Sequence, residues 1–137
     1  MVASFSVDYF ILVYVAAMGV LQMIASRRDL RGMLLFPAPS IAFLVGLCAV
    51  IAAFAWFFAS EPRNLSDTEG GLDGNRAASM FSAASSLAVF STLVISSLIN
   101  RSLGRDGQAP SPGLDALGQT TYLRALSGSL KGLWKRS

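Results

Sequence analysis

Three stretches of the chain carry no acidic or basic residue: Tyr9–Ser26, Gly32–Ser60 and Ala77–Asn100. Each is long enough to cross a bilayer, because ~20 apolar residues rising ~1.5 Å apiece cover a hydrocarbon core of ~30 Å. The pattern predicts an all-α membrane protein with three transmembrane helices, at about residues 8–26, 40–60 and 77–100. A soluble helical bundle of 137 residues would have to hide three charge-free runs of this length in one core. The second run is longer than one helix needs, and its start is irregular. Proline clashes with the preceding helical turn, so Phe36-Pro37-Ala38-Pro39 reads as a non-helical entry. Ser40 is the expected N-cap of a helix over 41–59, and Gly32–Phe36 should form a short apolar turn at the membrane interface.

The segments between the runs predict the orientation, because Arg and Lys in short loops favour the cytoplasmic side. The first loop holds Arg27, Arg28 and Arg31 against Asp29. The second, residues 61–76, holds Glu61, Asp67, Glu69 and Asp73 against Arg63 and Arg76. After Asn100 come Arg101, Arg105, Arg124, Lys131, Lys135 and Arg136. This alternation places the N-terminus outside and the basic tail inside, with the first span retained: basic residues follow its apolar run instead of preceding it. Tyr9, Phe10, Trp56, Phe57 and Phe58 mark an outer aromatic belt.

Small residues at four-residue spacing let helices approach closely in lipid, where serine and threonine can also hydrogen-bond between helices. The second span carries one such seam, Ala42, Gly46, Ala49 and Ala53. The third carries two rows, Ala78, Ser82 and Ser86 on one side and Ala84, Ala88, Thr92 and Ser96 on another. The helix-packing residues expected from these rows are Ala42, Gly46, Ala49, Ala53, Ser82, Ser86, Ala84 and Ala88. Three helices offer few mutual faces, so a second row suggests docking of another subunit or another copy. A serine-lined pore is the sharper alternative, weakened because helical hydroxyls usually bond back to the preceding turn.

Composition narrows the chemistry. Charged residues make up 14 % of the chain, against ~25 % in a typical soluble domain. The net charge of +3 sits mostly in the tail and not in an aromatic-studded patch, so nucleic acid is not an expected partner. Proton relays and ion-coupled carriers need ionisable groups at membrane depth, and no acidic, basic or histidine residue lies within any run. Serines without a neighbouring base do not make a hydrolase. With no histidine and a single cysteine, Cys48, no metal ligands, cofactor or catalytic residues are expected, and Cys48 reads as a small buried apolar residue.

The exposed segments carry the remaining signals. Asp67, Glu69 and Asp73 resemble a calcium loop only poorly, because Gly71 and Ala78 fall where ligands would be needed. Residues 101–113, with Gly104, Gly107, Pro110, Pro112 and Gly113, read as a flexible linker. Over 114–137, Leu123, Leu126, Leu130 and Leu133 recur at three and four residues. Arg124, Lys131, Trp134 and Lys135 accompany them, and this predicts a C-terminal amphipathic helix lying on the membrane surface. The expectation is a non-enzymatic protein of a bacterial cytoplasmic membrane. It would act as an accessory or anchoring subunit, with lipids and other membrane subunits or itself as partners. A small oligomeric transporter or channel is the alternative.

Overall fold

The computed structural model describes residues 2–60 and 73–100 together with residues 121, 122, 126 and 127, with side chains from residue 5 onward. It contains three long helices, α1 (Val2–Arg27), α2 (Pro39–Ser60) and α3 (Gly74–Ile99), and a single 3-10 turn at Arg31–Met33. All three are long and apolar enough to cross a membrane. Only 22–28 % of each span is buried by the rest of the protein. Ile41, Leu44, Ile51, Phe54 and Phe58 on α2, and Phe81, Phe90 and Ile99 on α3, are among the side chains left uncovered. An apolar surface of that extent has its solvent in lipid, so the chain is an integral membrane protein. Residues 61–72 of the second loop, the linker and the tail residues Arg124, Lys131, Trp134 and Lys135 lie outside the described residues, and of the tail's leucine row only Leu126 is described.

The helices run up, down and up, with α1 in the middle. α1 packs along both α2 and α3, whereas α2 and α3 have almost no direct contact. One end of the α1–α2 pair is closed by Leu12, Ala53 and Phe57, with Phe5 and Tyr9 against them. The Phe5 and Phe57 rings lie 5.9 Å apart. Phe57 is therefore a core residue and not part of the aromatic belt, while Trp56 and Phe58 do face outward. At the other end, Ala25, Leu34 and Ala42 form a second small core, flanked by Leu30 and Met33.

Between those two cores the helices cross at Gly19 and Gly46. A methyl group placed on Gly19 would lie 2.6 Å from the Gly46 carbonyl oxygen, and one on Gly46 would lie 2.5 Å from that of Gly19. Neither neighbour can yield, because both are helix backbone. Glycine is required on both sides of the crossing, since lipid supplies no hydrophobic drive and attraction must come from close contact.

Two details of α2 differ from the expected ones. α2 begins at Pro39, one residue before the expected cap, and the Ala42 amide bonds the Ala38 carbonyl at 3.0 Å. Proline suits the first helical position because its missing N–H would be unpaired there in any case. Cys48 is exposed on the outer side of α2 and not buried. Its neighbours two residues away, Gly46 and Val50, turn toward α1, and a helix advances ~100° per residue, so position 48 points away.

α1 ends in a Schellman turn. Asp29 has φ 51°, the Leu30 amide bonds the Ala25 carbonyl at 2.9 Å, and the Asp29 amide reaches that of Ser26 at 3.5 Å. Asp tolerates the left-handed conformation better than most residues, though glycine adopts it without strain.

Replacing Gly19 or Gly46 by alanine is expected to lower stability by about 1–3 kcal/mol, the usual range for overpacking. Thermal unfolding in mild detergent measures it, with Gly74→Ala as the control because nothing lies within 4 Å of that position. In the same assay Asp29→Gly should leave stability unchanged or raise it by up to about 1 kcal/mol. The exposed Asp29–Arg31 pair it removes contributes little.

Candidate functional site

The loop joining α1 to α2 is a stretch of irregular backbone between two membrane-spanning helices. Where such backbone is buried, as at Gly32 and Leu34, it needs partners within the protein. Pro37 and Pro39 reduce the problem by carrying no N–H. Three side chains serve much of the rest. Gln22, buried on α1, donates its amide NH2 to the Met33 carbonyl at 3.2 Å, and its Oε1 accepts from the Leu35 N–H at 2.9 Å. Ser26, one turn further on, donates to the Pro39 carbonyl at 2.6 Å. Asn100, at the end of α3, donates to the Leu34 carbonyl at 2.7 Å and to that of Ser96 at 3.0 Å. The Met33 amide bonds Leu30 and the Leu34 amide bonds Arg31, at 2.9 and 3.3 Å. One carboxamide thus pairs with the residues on either side of Leu34, and a second ties α3 to Leu34 itself.

Gln22, Ser26 and Asn100 carry no expectation from spacing. Their signal in the sequence is faint: Gln22 is a lone carboxamide in an apolar run, and Asn100 is the last residue of another.

The small-residue rows divide between covered and uncovered faces. On α2, Ala42, Gly46 and Ala53 are buried and Ala49 is half-buried, all on the side facing α1. On α3, Ala84, Ala88, Thr92 and Ser96 are buried. Ser82 and Ser86, with Ala78, are exposed on another side. Three hydroxyls of α3 turn back on their own helix: Ser79 donates to the Arg76 carbonyl at 2.9 Å, Ser82 to Ala78 at 2.9 Å and Ser96 to Leu93 at 3.3 Å. Thr92 differs. Its Oγ1 is fully buried with no hydrogen-bond partner among the described residues.

Because α2 and α3 flank α1 without meeting, they leave a groove between them, about 540 Å³ in volume. Leu12, Val13, Ala16, Val50, Phe54 and Val89 are among its walls, and only Tyr9 and Ser85 contribute polar groups. The groove is apolar along most of its length. No group of three metal-ligating side chains occurs among the described residues.

Comparison with protein-family models, curated proteins and solved structures gives no match to this chain.

Gln22→Leu leaves the Met33 carbonyl and the Leu35 N–H without partners, and each buried unpaired group costs ~1–3 kcal/mol. It is expected to lower the thermal midpoint and speed hydrogen exchange at the Leu35 amide. Thr92→Val is expected to act oppositely, raising stability by about 1 kcal/mol, since it removes an unpaired hydroxyl at nearly constant volume. Thermal unfolding of the two variants side by side checks both signs.

Proposed function

We propose that the protein is a non-catalytic accessory or anchoring subunit of a larger membrane complex. The observation that carries this reading is the division of α3 into two small-residue faces. One, Ala84–Ala88–Thr92–Ser96, is used up inside the protein, and the other, Ala78–Ser82–Ser86, is left open. In lipid, a row of small residues gains nothing against acyl chains but allows a second helix to approach closely. The apolar groove and the back-bonded Ser82 hydroxyl favour attachment over conduction, since a water path needs hydroxyls turned outward to it. The alternative, a small oligomeric transporter, would require the open row of several copies to face a common axis.

The proposed orientation has the N-terminus outside and the loop after α1 in the cytoplasm of a bacterial cell. Arg27, Arg28 and Arg31 against the single Asp29 support it. In a Cys48→Ala background, Gly74→Cys is expected to react with a membrane-impermeant maleimide in intact cells. Arg28→Cys should react only once the inner face is opened, and the reverse pattern refutes the assignment.

Extraction of a tagged copy in mild detergent tests the role itself. Recovery of a distinct protein at fixed stoichiometry is the expected result. Ser82→Leu together with Ser86→Leu should reduce that recovery about tenfold, equivalent to ~1.4 kcal/mol, with the monomer's thermal midpoint unchanged because both positions are exposed. A homo-oligomer alone, of defined size and disrupted by the same pair, would favour the transporter instead.

A further inference from the structure

A second concavity lies at the loop end, between the last turn of α1 and the first of α2. It is an open cleft of about 560 Å³ lined by Ser26, Arg27, Pro39, Ser40, Phe43 and Leu44. Its charge is fixed in place: the Arg27 guanidinium carbon sits 5.1 Å from the centroid of the Phe43 ring. A cation held over an aromatic face keeps its N–H edges free for another partner. The one carboxylate of this loop is engaged elsewhere, with Asp29 Oδ1 at 3.3 Å from Arg31 Nε. Among the described residues Arg27 has no ion-pair partner, and the Ser40 hydroxyl has no hydrogen-bond partner. Ser26 contributes no donor, since its hydroxyl is committed to Pro39.

The cleft therefore offers a planar cationic fork and a hydroxyl at its rim. The apolar wall of Phe43 and Leu44 continues along α2 into the span. Its depth is set by the helices, at the point where two spans end and phospholipid phosphates lie. Arg28 and Arg31, both exposed beside it, add positive charge. We propose that this cleft binds the phosphate of an anionic phospholipid. Arg27 donates two parallel hydrogen bonds to the non-bridging oxygens, Ser40 donates a third, and Phe43 and Leu44 receive the glycerol and first methylenes. A guanidinium matches phosphate oxygens in pairs, which an ammonium cannot do. Basic pockets between spans attract anionic head groups by the same chemistry. A free phosphate ion would satisfy the fork equally well. The apolar wall at its side selects the lipid. The site depends on the membrane-spanning fold and on neither the subunit role nor the orientation.

Native mass spectrometry of the full chain, released from mixed micelles of phosphatidylglycerol and phosphatidylcholine, reads the retained lipid directly. Phosphatidylglycerol should be retained in preference. Arg27→Gln is expected to reduce its retention about tenfold, Ser40→Ala about threefold, and Arg27→Lys by an intermediate factor, as loss of charge-assisted hydrogen bonds implies. Arg76→Gln, exposed in the first turn of α3 at the opposite end of the spans, should stay near the wild-type level, and the thermal midpoint of each variant shows that it is folded. Equal retention of both lipids, or an Arg27→Gln variant indistinguishable from wild type, overturns the proposal. Phosphorus NMR with inorganic phosphate alone separates the two sources of the ligand. Broadening of its signal at millimolar concentration that Arg27→Gln abolishes, with lipid retention unaffected, would assign the cleft to a soluble anion and reject the lipid.

Discussion

The two hydrogen bonds of the Gln22 carboxamide hold the rest of the architecture in place. They join the last turns of α1 to Met33 and Leu35 of the loop, at the one described place where irregular backbone connects two spans. Gly32 and Leu34 of that turn are buried, so the backbone around them must find its donors and acceptors within the protein. Gln22 supplies one of each. Ser26 and Asn100 then attach the start of α2 and the end of α3 to the same turn. All three helices are thereby referenced to a single short segment, and the Gly19–Gly46 crossing lies about one turn of α1 beyond it.

From that reference the arrangement of the spans follows. Glycine on both sides of the crossing draws α2 close to α1, while α3 lies against α1 through Ala84, Ala88, Thr92 and Ser96. With α1 contacted on two sides, α2 and α3 stand apart and the apolar groove opens between them. What this arrangement offers is surface: the open small-residue row of α3, the groove, and the basic cleft beside Arg27. The proposed attachment role would use such surfaces.

The two polar threonine and serine roles on α3 illustrate the energetics. Ser82 satisfies its hydroxyl on Ala78 within its own helix, so it can face lipid or a partner at little cost. Thr92, pressed against the interior, has no such partner. A buried hydroxyl left unpaired opposes folding, and close packing around it offsets that loss. The same low-dielectric interior that makes the Gln22 bonds valuable makes the Thr92 hydroxyl costly.

The three spans were legible in the amino-acid sequence because lipid as a solvent excludes charge, and exclusion over some twenty residues leaves an unmistakable record. The prolines likewise marked where α2 had to begin, to within two residues. The spacing of Ala42, Gly46, Ala49 and Ala53 by four, three and four residues marked one face, which lies buried or half-buried, since backbone proximity demands small side chains whatever the partner. Tertiary structure alone decided the rest. Hydropathy does not distinguish a side chain facing lipid from one facing another helix, so Cys48 and Phe57 exchanged their expected places. The two rows of α3 have the same composition, and only the position of α1 determined which one is covered. Nor does spacing reveal that Gln22, Ser26 and Asn100 converge, because the groups they satisfy belong to a turn whose path exists only once the helices are packed.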